Sequence, residues 1–256
     1  MGHVRPIGFR KWDMYDRLGL EAETRMANLL IAHSTAANHT IEANHIIEIE
    51  TETEQSLEAR AVYVGERPIA FDRFVDLAEG RFVELVRGVI EEKPVIQLDH
   101  ELCMSWLYQV MGPYTQRQKL GRMLSSRIMV KTETFGGRMP DLLFVRQERI
   151  EIVQQKAVYG APDLILEIVS PNDRPSHLRE LEAEYFGLGV PELVFVHLRK
   201  QEIHLLQRKD EGYSLTIVTE GAVTFEALPG LMLQAQWLLK EPRPDVFDTL
   251  TTLLTG

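Results

Sequence analysis

The stretch that most constrains the fold is Ala161–Val190, "APDLILEIVSPNDRPSHLRELEAEYFGLGV". Its first half is an apolar run of the kind that fills a buried strand, and its second half reads as a helix. Two acids, Asp163 and Glu167, interrupt the apolar run. A carboxylate in a buried strand costs several kcal/mol unless it is paired or bound to a cation. Side chains alternate along a strand, so Asp163, Ile165, Glu167 and Val169 share one face. Four residues separate the two acids, or roughly 13 Å of strand, which is too far for one metal ion.

Asp141, in "RMPDLLFV", is a closer partner for Glu167. It opens the preceding strand, and Glu167 stands late in the next. If the two strands are antiparallel neighbours, Asp141 and Glu167 lie side by side and Asp163 falls near Val145. Two adjacent carboxylates repel unless a cation sits between them. Oxygen ligands suit magnesium or manganese, and water held there could attack a phosphodiester. Periodicity alone also allows Glu167 a buried salt bridge to an arginine, and Pro-Asp pairs often just begin a strand or turn.

The rest of the chain supplies a mixed frame. "IAFDRFVDLAE" reads as a short amphipathic helix and "RFVELVRGVIEE" as two strands around Arg87-Gly88. "HELCMSWLYQVMGPY" reads as a helix ended by Gly112-Pro113. "SSRIMVKTETF" reads as one strand, followed by a Gly136-Gly137 turn and the strand "MPDLLFVR". "SHLRELEAEYFGLG" is a helix with Leu178, Leu181, Tyr185 and Leu188 on one face, stopped near Gly187 and Gly189. "ELVFVHLRKQEIHLLQRK" gives one or two further strands. The expected fold class is α/β, a mixed central sheet flanked by helices.

The first part reads differently. A helical pattern in "DMYDRLGLEAETRMANLLIAH" is followed by a polar loop and the alternating "HIIEIETETE", an exposed strand. Residues 1–67 are therefore taken as an N-terminal extension, 68–240 as the main domain and 241–256 as a tail. His33, His39 and His45 in the extension match no compact metal-binding spacing.

With 256 residues, 45% apolar and 26% charged, the chain has the composition of a globular protein. One cysteine, Cys103, excludes an internal disulfide and a multi-cysteine metal site. No apolar run is long enough for a membrane helix, and a cytoplasmic location is expected. The net charge of −10 argues against indiscriminate phosphate binding. Locally, "YTQRQKLGRMLSSRIMVK" carries Arg117, Lys119, Arg122, Arg127 and Lys131 and no acid. Such a stripe is either a solvated loop and strand or a guide for DNA toward the acids.

In order along the chain, "FDRFVDLAEGRFVELVRGVIEE", "LDHELCMSWL", "RMPDLLFV", "APDLILEIVSP", "EYFGLGVPELVFV" and "LPGLMLQAQWL" resemble the Uma-two family of "putative restriction endonucleases", within the PD-(D/E)xK nuclease superfamily. The resemblance covers about residues 68–240. It implies a restriction-endonuclease-like core whose motif acids are Asp141 and Glu167, the two that strand geometry selects separately. By the same resemblance Glu84 falls on an early accessory acid and His100 on a histidine at the start of the following helix, where a cap or a partly buried histidine is the plainer role.

The superfamily's lysine, two residues after the glutamate, is Val169 here; the family's own position, four residues before the tyrosine matched by Tyr185, is Leu181. Both places lack a lysine. His177, one turn before Leu181, and Arg174 beyond it are the candidate replacements, unless both are simply solvated at the helix start. A neutral histidine could act as a base; an arginine could only offset phosphate charge. The expected activity is a magnesium- or manganese-dependent DNA endonuclease, possible as a homodimer for a two-stranded substrate. The alternative is a catalytically inactive nuclease-like module that binds DNA or a protein partner.

Overall fold

The computed structural model describes residues 4–7, 46–47, 62–63, 68–93, 95–125, 127–170, 173–210 and 212–255. The helix expected before residue 33, the His33, His39 and His45 positions, and most of the strand expected over 45–54 lie outside these residues. Of that strand, Ile46–Ile47 (β2) is described, paired antiparallel with Val62–Tyr63 (β3).

A seven-stranded sheet forms the centre. Its strands are β1 (Val4–Ile7), β6 (Gly121–Ser125), β9 (Leu142–Arg146), β10 (Leu164–Val169), β11 (Glu192–His197), β12 (Glu202–Lys209) and β13 (Gly212–Val218), in the order β1-β13-β12-β11-β10-β9-β6. Only β10 and β11 are parallel neighbours. The crossover between them is helix α3 (Pro175–Leu188), because a parallel step requires the chain to return to its starting edge. That helix ends at Gly189, whose φ of 84° suits the left-handed cap and whose N–H bonds the Tyr185 and Phe186 carbonyls.

A second sheet has four strands, β4 (Val83–Val86), β5 (Val89–Glu92), β7 (Val130–Glu133) and β8 (Gly136–Arg138), in the order β5-β4-β8-β7. The β4–β5 hairpin turns through Arg87 and Gly88 with φ of 50° and 76°, the double positive-φ turn that matches strand twist. Helix α1 (Phe71–Leu77) covers this sheet through Phe71 and Phe74. A β14–β15 hairpin (Ala222–Thr224, Met232–Gln234) and helices α4 (Ala235–Leu239) and α5 (Val246–Thr255) complete the described elements.

Alternation along the strands sorts the core. Leu142, Phe144, Leu164, Leu166 and Ile168 face one side, against helix α2 (Leu98–Arg117). Leu143, Val145, Ile165 and Val169 face the other, with Leu181 and Tyr185 of α3. Within residues 241–256, α5 packs Val246, Leu250 and Leu253 on the first core. Trp106 Nε1 donates to the Pro244 carbonyl at 2.8 Å.

Two expectations change. Helix α2 does not stop at Gly112-Pro113 but runs on to Arg117. Pro113 removes one backbone donor. Burial of Met111, Tyr114 and Thr115, and the Tyr114 hydroxyl on the Pro229 carbonyl, hold the continued turn. The strand expected in "SSRIMVKTETF", residues 125–135, is shortened to Val130–Glu133, and an unexpected strand precedes it. Gly121–Ser125 is an edge strand of the main sheet, whereas Val130–Glu133 belongs to the smaller one. The chain thus leaves the main sheet after β6, forms β7 and β8, and re-enters it at β9. The re-entry segment is Arg138-Met139-Pro140-Asp141.

Candidate active site

Strands β9 and β10 are antiparallel, with Leu142 opposite Leu166 and Phe144 opposite Leu164. One step further along that register sets Asp141 beside Glu167. The Asp141 backbone N–H donates to Glu167 Oε2 at 3.3 Å, and both side chains are buried, at 6% and 8% exposure. Asp163 lies at the other end of the strand. It accepts from the Arg146 N–H at 2.9 Å and from Arg149 Nη1 at 2.9 Å. The acid that looked anomalous in the sequence is therefore half of a structural ion pair.

Three groups hold the Asp141–Glu167 pair. The Ile168 N–H and His100 Nε2 donate to Asp141 Oδ2 at 2.8 and 2.9 Å. The Tyr185 hydroxyl donates to Glu167 Oε1 at 2.6 Å. Burial pushes the Tyr185 phenol well above its ordinary range, so it stays a donor. Burial, then the neighbouring Asp141 charge, raises the Glu167 carboxyl to about 8.

Glu84, on β4, adjoins the pair without joining it. It accepts from the Met139 N–H at 2.9 Å and from Arg138 Nη1 at 3.2 Å, and lies 3.3 Å from Lys93 Nζ. Burial alone would raise this carboxyl. The Lys93 and Arg138 charges and the Met139 N–H outweigh burial and hold it at about 2. Arg138 is almost fully buried and also bonds Glu184 of α3 through Nε at 2.8 Å and through Nη2. Lys93 follows β5 and donates to the Met139 carbonyl at 2.7 Å. Burial acts to lower its pKa, but Glu84, then Glu167 and Asp141, raise it above the ordinary lysine value.

Glu84, Lys93, His100, Asp141 and Glu167 line one open cleft of about 710 Å³, with Arg174 and His177 also on its wall. Val169 and Leu181, the two positions where a lysine was expected from the resemblance, line this cleft too and pack in one apolar cluster. The basic stripe divides. Arg117 ends α2, and Arg122 pairs with Val145, about 13 Å along β9 from Asp141. Lys119 lies between them in the turn after α2. Arg127 stands over the Phe82 ring at 5.6 Å. Lys131 lies 3.3 Å from Asp72 and over the rings of Phe71 and Tyr159.

The pair has the chemistry of a hard-cation site. Both carboxyls are buried, the charge of one disfavours ionisation of the other, and both hydrogen bonds to Asp141 fall on Oδ2, so Oδ1 is the oxygen available to a cation. His100 Nδ1 is buried without a hydrogen-bond partner. Among the described residues no set of three His, Cys, Asp or Glu side chains is placed to hold a metal ion. Magnesium fits two carboxylates because it keeps several waters.

The family model of Uma2, described as "putative restriction endonuclease", matches residues 71–238. The chain belongs to the Uma2 family. Its fold is similar to that of a "putative nuclease belonging to DUF820" from Anabaena variabilis ATCC 29413, with 18% identity, a TM-score of 0.53, and coverage of 73% of this chain and 99% of that one. Among curated proteins none matches. No described helix is long and apolar enough to cross a membrane.

Two cleft residues were not legible in the sequence. Lys93 stands after β5, away from β10 and α3, the two elements on which a lysine was expected. The hairpin itself carried the signal. A two-residue turn at Arg87-Gly88 sets Glu84 opposite Glu91, and Lys93 lies two residues on, on the same face. Arg138 had no comparable cue, since its partners Glu84 and Glu184 come from a strand and a helix distant in sequence.

Proposed function

We propose that this Uma2 chain is a divalent-metal-dependent DNA endonuclease. The observation that carries the reading is the juxtaposition of Asp141 and Glu167, two buried carboxyls of like charge at the wall of an open cleft. Magnesium or manganese bound there would supply an activated water and offset the charge that builds on a phosphodiester. Asp141 and Glu167 would be its protein ligands. His100 and Ile168 fix the Asp141 carboxyl, and Tyr185 fixes Glu167, so both are oriented before a ligand arrives. His177 on the cleft wall is available to take up a proton, and Arg174 to pair with a phosphate. DNA would approach along the β6 edge, where Arg122 is exposed. Cutting both strands of a duplex suits a homodimer, and a cytoplasmic location suits this substrate.

One observation favours a second reading, a nuclease-like module that binds DNA or a protein without cutting it. Val169 and Leu181 put hydrocarbon at the two places where the resemblance leads a lysine to be expected.

Plasmid cleavage separates the two. Supercoiled DNA should be nicked or linearised in magnesium or manganese and left intact in chelator. Asp141→Ala and Glu167→Ala should each abolish cutting, which also excludes a contaminating nuclease. Wild type that cuts neither duplex nor single-stranded DNA in any divalent metal sinks the enzyme reading.

A further inference from the structure

The cleft contains a cation that neither family position supplies. Lys93 reaches it from the end of β5, a strand of the smaller sheet, while Val169 and Leu181 approach from β10 and α3. Its ammonium has three N–H groups. One bonds the Met139 carbonyl at 2.7 Å, two residues before Asp141, and one faces Glu84 Oε1 at 3.3 Å. The ammonium also stands over the Phe82 ring at 5.7 Å, and the third N–H has no hydrogen-bond acceptor among the described residues. The side chain is 19% exposed and lines the cleft, with its ammonium anchored on the Met139 carbonyl.

Glu84 does not by itself explain Lys93. That carboxylate already accepts from Arg138 Nη1 and the Met139 N–H. Arg138, the other buried cation of the cleft, is committed to Glu84 and to both oxygens of Glu184. Arg174 is exposed, at the N-cap of α3. Lys93 is thus the anchored positive charge with donor capacity to spare beside the two acids.

We propose, resting on the nuclease reading above, that Lys93 is the catalytic lysine of this chain, displaced from β10 to the end of β5, and that its ammonium binds a non-bridging oxygen of the scissile phosphate. In the hydrolysis the water oxygen forms a new bond to phosphorus and the bond from phosphorus to the leaving ester oxygen breaks. One proton of the water passes to His177 on the cleft wall and on to solvent, and the leaving oxygen takes one up. Lys93 keeps its own protons throughout. It donates a hydrogen bond to an oxygen whose negative charge grows, so it acts by electrostatic stabilisation. A lysine that entered from the second sheet leaves β10 and α3 free to become apolar, as Val169 and Leu181 have.

The test uses the full chain with Lys93→Met, Lys93→Arg, and the relocated doubles Lys93→Met/Val169→Lys and Lys93→Met/Leu181→Lys. Plasmid cutting under single turnover is one readout. Binding of a short fluorescent duplex in chelator over a salt series is the other, and needs neither metal nor cutting. Lys93→Met should slow cutting by about 100-fold or more and flatten the log–log salt dependence of binding by about one. At least one relocated lysine should restore cutting to well above the Lys93→Met rate, which no loss of a merely structural ion pair predicts. Lys93→Arg should keep the salt slope. Wild-type cutting that survives Lys93→Met with its salt slope unchanged overturns the proposal and leaves the nuclease reading standing. Loss of cutting with an unchanged slope and no rescue by either relocated lysine assigns Lys93 a structural role, and also overturns it. A wild type that never cuts, but whose salt slope still drops in Lys93→Met, retires the nuclease reading while keeping the phosphate contact.

Discussion

The Tyr185 hydroxyl donates to Glu167 Oε1 at 2.6 Å across the interface between α3 and β10. Both partners are buried, and the hydroxyl is one of two donors that reach the Glu167 carboxyl. Tyr185→Phe keeps the ring in its apolar cluster and removes that donor alone. The loss should be about 1–3 kcal/mol, the cost of leaving a buried acceptor short. It should also push the Glu167 carboxyl still higher, because this hydrogen bond acts to lower it. Urea unfolding at pH 6 and pH 9 measures both effects. An unchanged midpoint at both pH values would show that the hydroxyl does not support the site.

Glu167 gives the metal-free protein a slope with pH. Its folded value, about 8, lies above the ordinary 4.5, chiefly through burial and then through Asp141. A carboxyl raised on folding binds its proton more tightly in the native state. Its contribution is therefore complete below pH 4.5 and is lost as pH rises from there to about 8, on the order of a few kcal/mol. Thermal melts in chelator should fall over that window. Glu167→Gln should flatten the fall and melt above wild type at pH 8–9. A wild-type curve that rises from pH 5 to 8 by as much as the variant's would contradict the repulsion on which the cation site rests.

Glu84 predicts the opposite sign at the acid end. Its folded value of about 2 lies below 4.5 because Lys93, Arg138 and the Met139 N–H outweigh burial. The stabilisation is present above pH 4.5 and disappears as pH falls toward 2, on the order of 3 kcal/mol. Glu84→Gln should lose most of its stability deficit relative to wild type by pH 2. Arg138→Met removes a buried charge that two glutamates share, and should cost about 3–5 kcal/mol at pH 7. Urea midpoints across pH 2–7 for both variants check this. If Glu84→Gln matched wild type at pH 7, the carboxylate would not be the anchor of the Met139 segment.

How much of this arrangement the sequence disclosed depends on how far apart the partners lie. The Asp141–Glu167 pairing was legible because two neighbouring buried strands, each with one acid off its apolar pattern, allow only a narrow choice of register. The same register put Asp163 near Val145, and its amide does donate to the Phe144 carbonyl at 2.8 Å. Leu181 and Tyr185 on one helix face followed from 3.6-residue spacing. The continuation of α2 past Pro113 was not legible, since a local breaker is outweighed by burial that only the tertiary fold supplies. The edge strand Gly121–Ser125 was hidden by Arg122 and the basic turn before it, which suit an exposed edge as well as a loop. Lys93 was hidden by an expectation carried over from relatives about which strand should supply the charge.

Asp163 offers the control that separates folding from function. It immediately precedes β10, on the same sheet face as Glu167, and is also buried, at 5%. Its hydrogen bonds go to the Arg146 N–H and the Arg149 guanidinium, none to the cleft. Asp163→Asn removes the charge that Arg149 pairs with and should cost about 1–3 kcal/mol. Arg149 is more than a third exposed, so water compensates part of the loss. Below the melting point, the folded fraction should cut plasmid at the wild-type rate. Asp141→Asn and Glu167→Gln should behave in the reverse manner, keeping or gaining stability in chelator while losing cutting. Two assays on the same three proteins, a melt and a cleavage time course, therefore cross. The crossing follows from geometry: about 13 Å of strand lies between an acid that has a cationic partner and one for which a cation is proposed. If Asp163→Asn lost cutting while fully folded, the site would have to extend along β10 well beyond the Asp141–Glu167 pair.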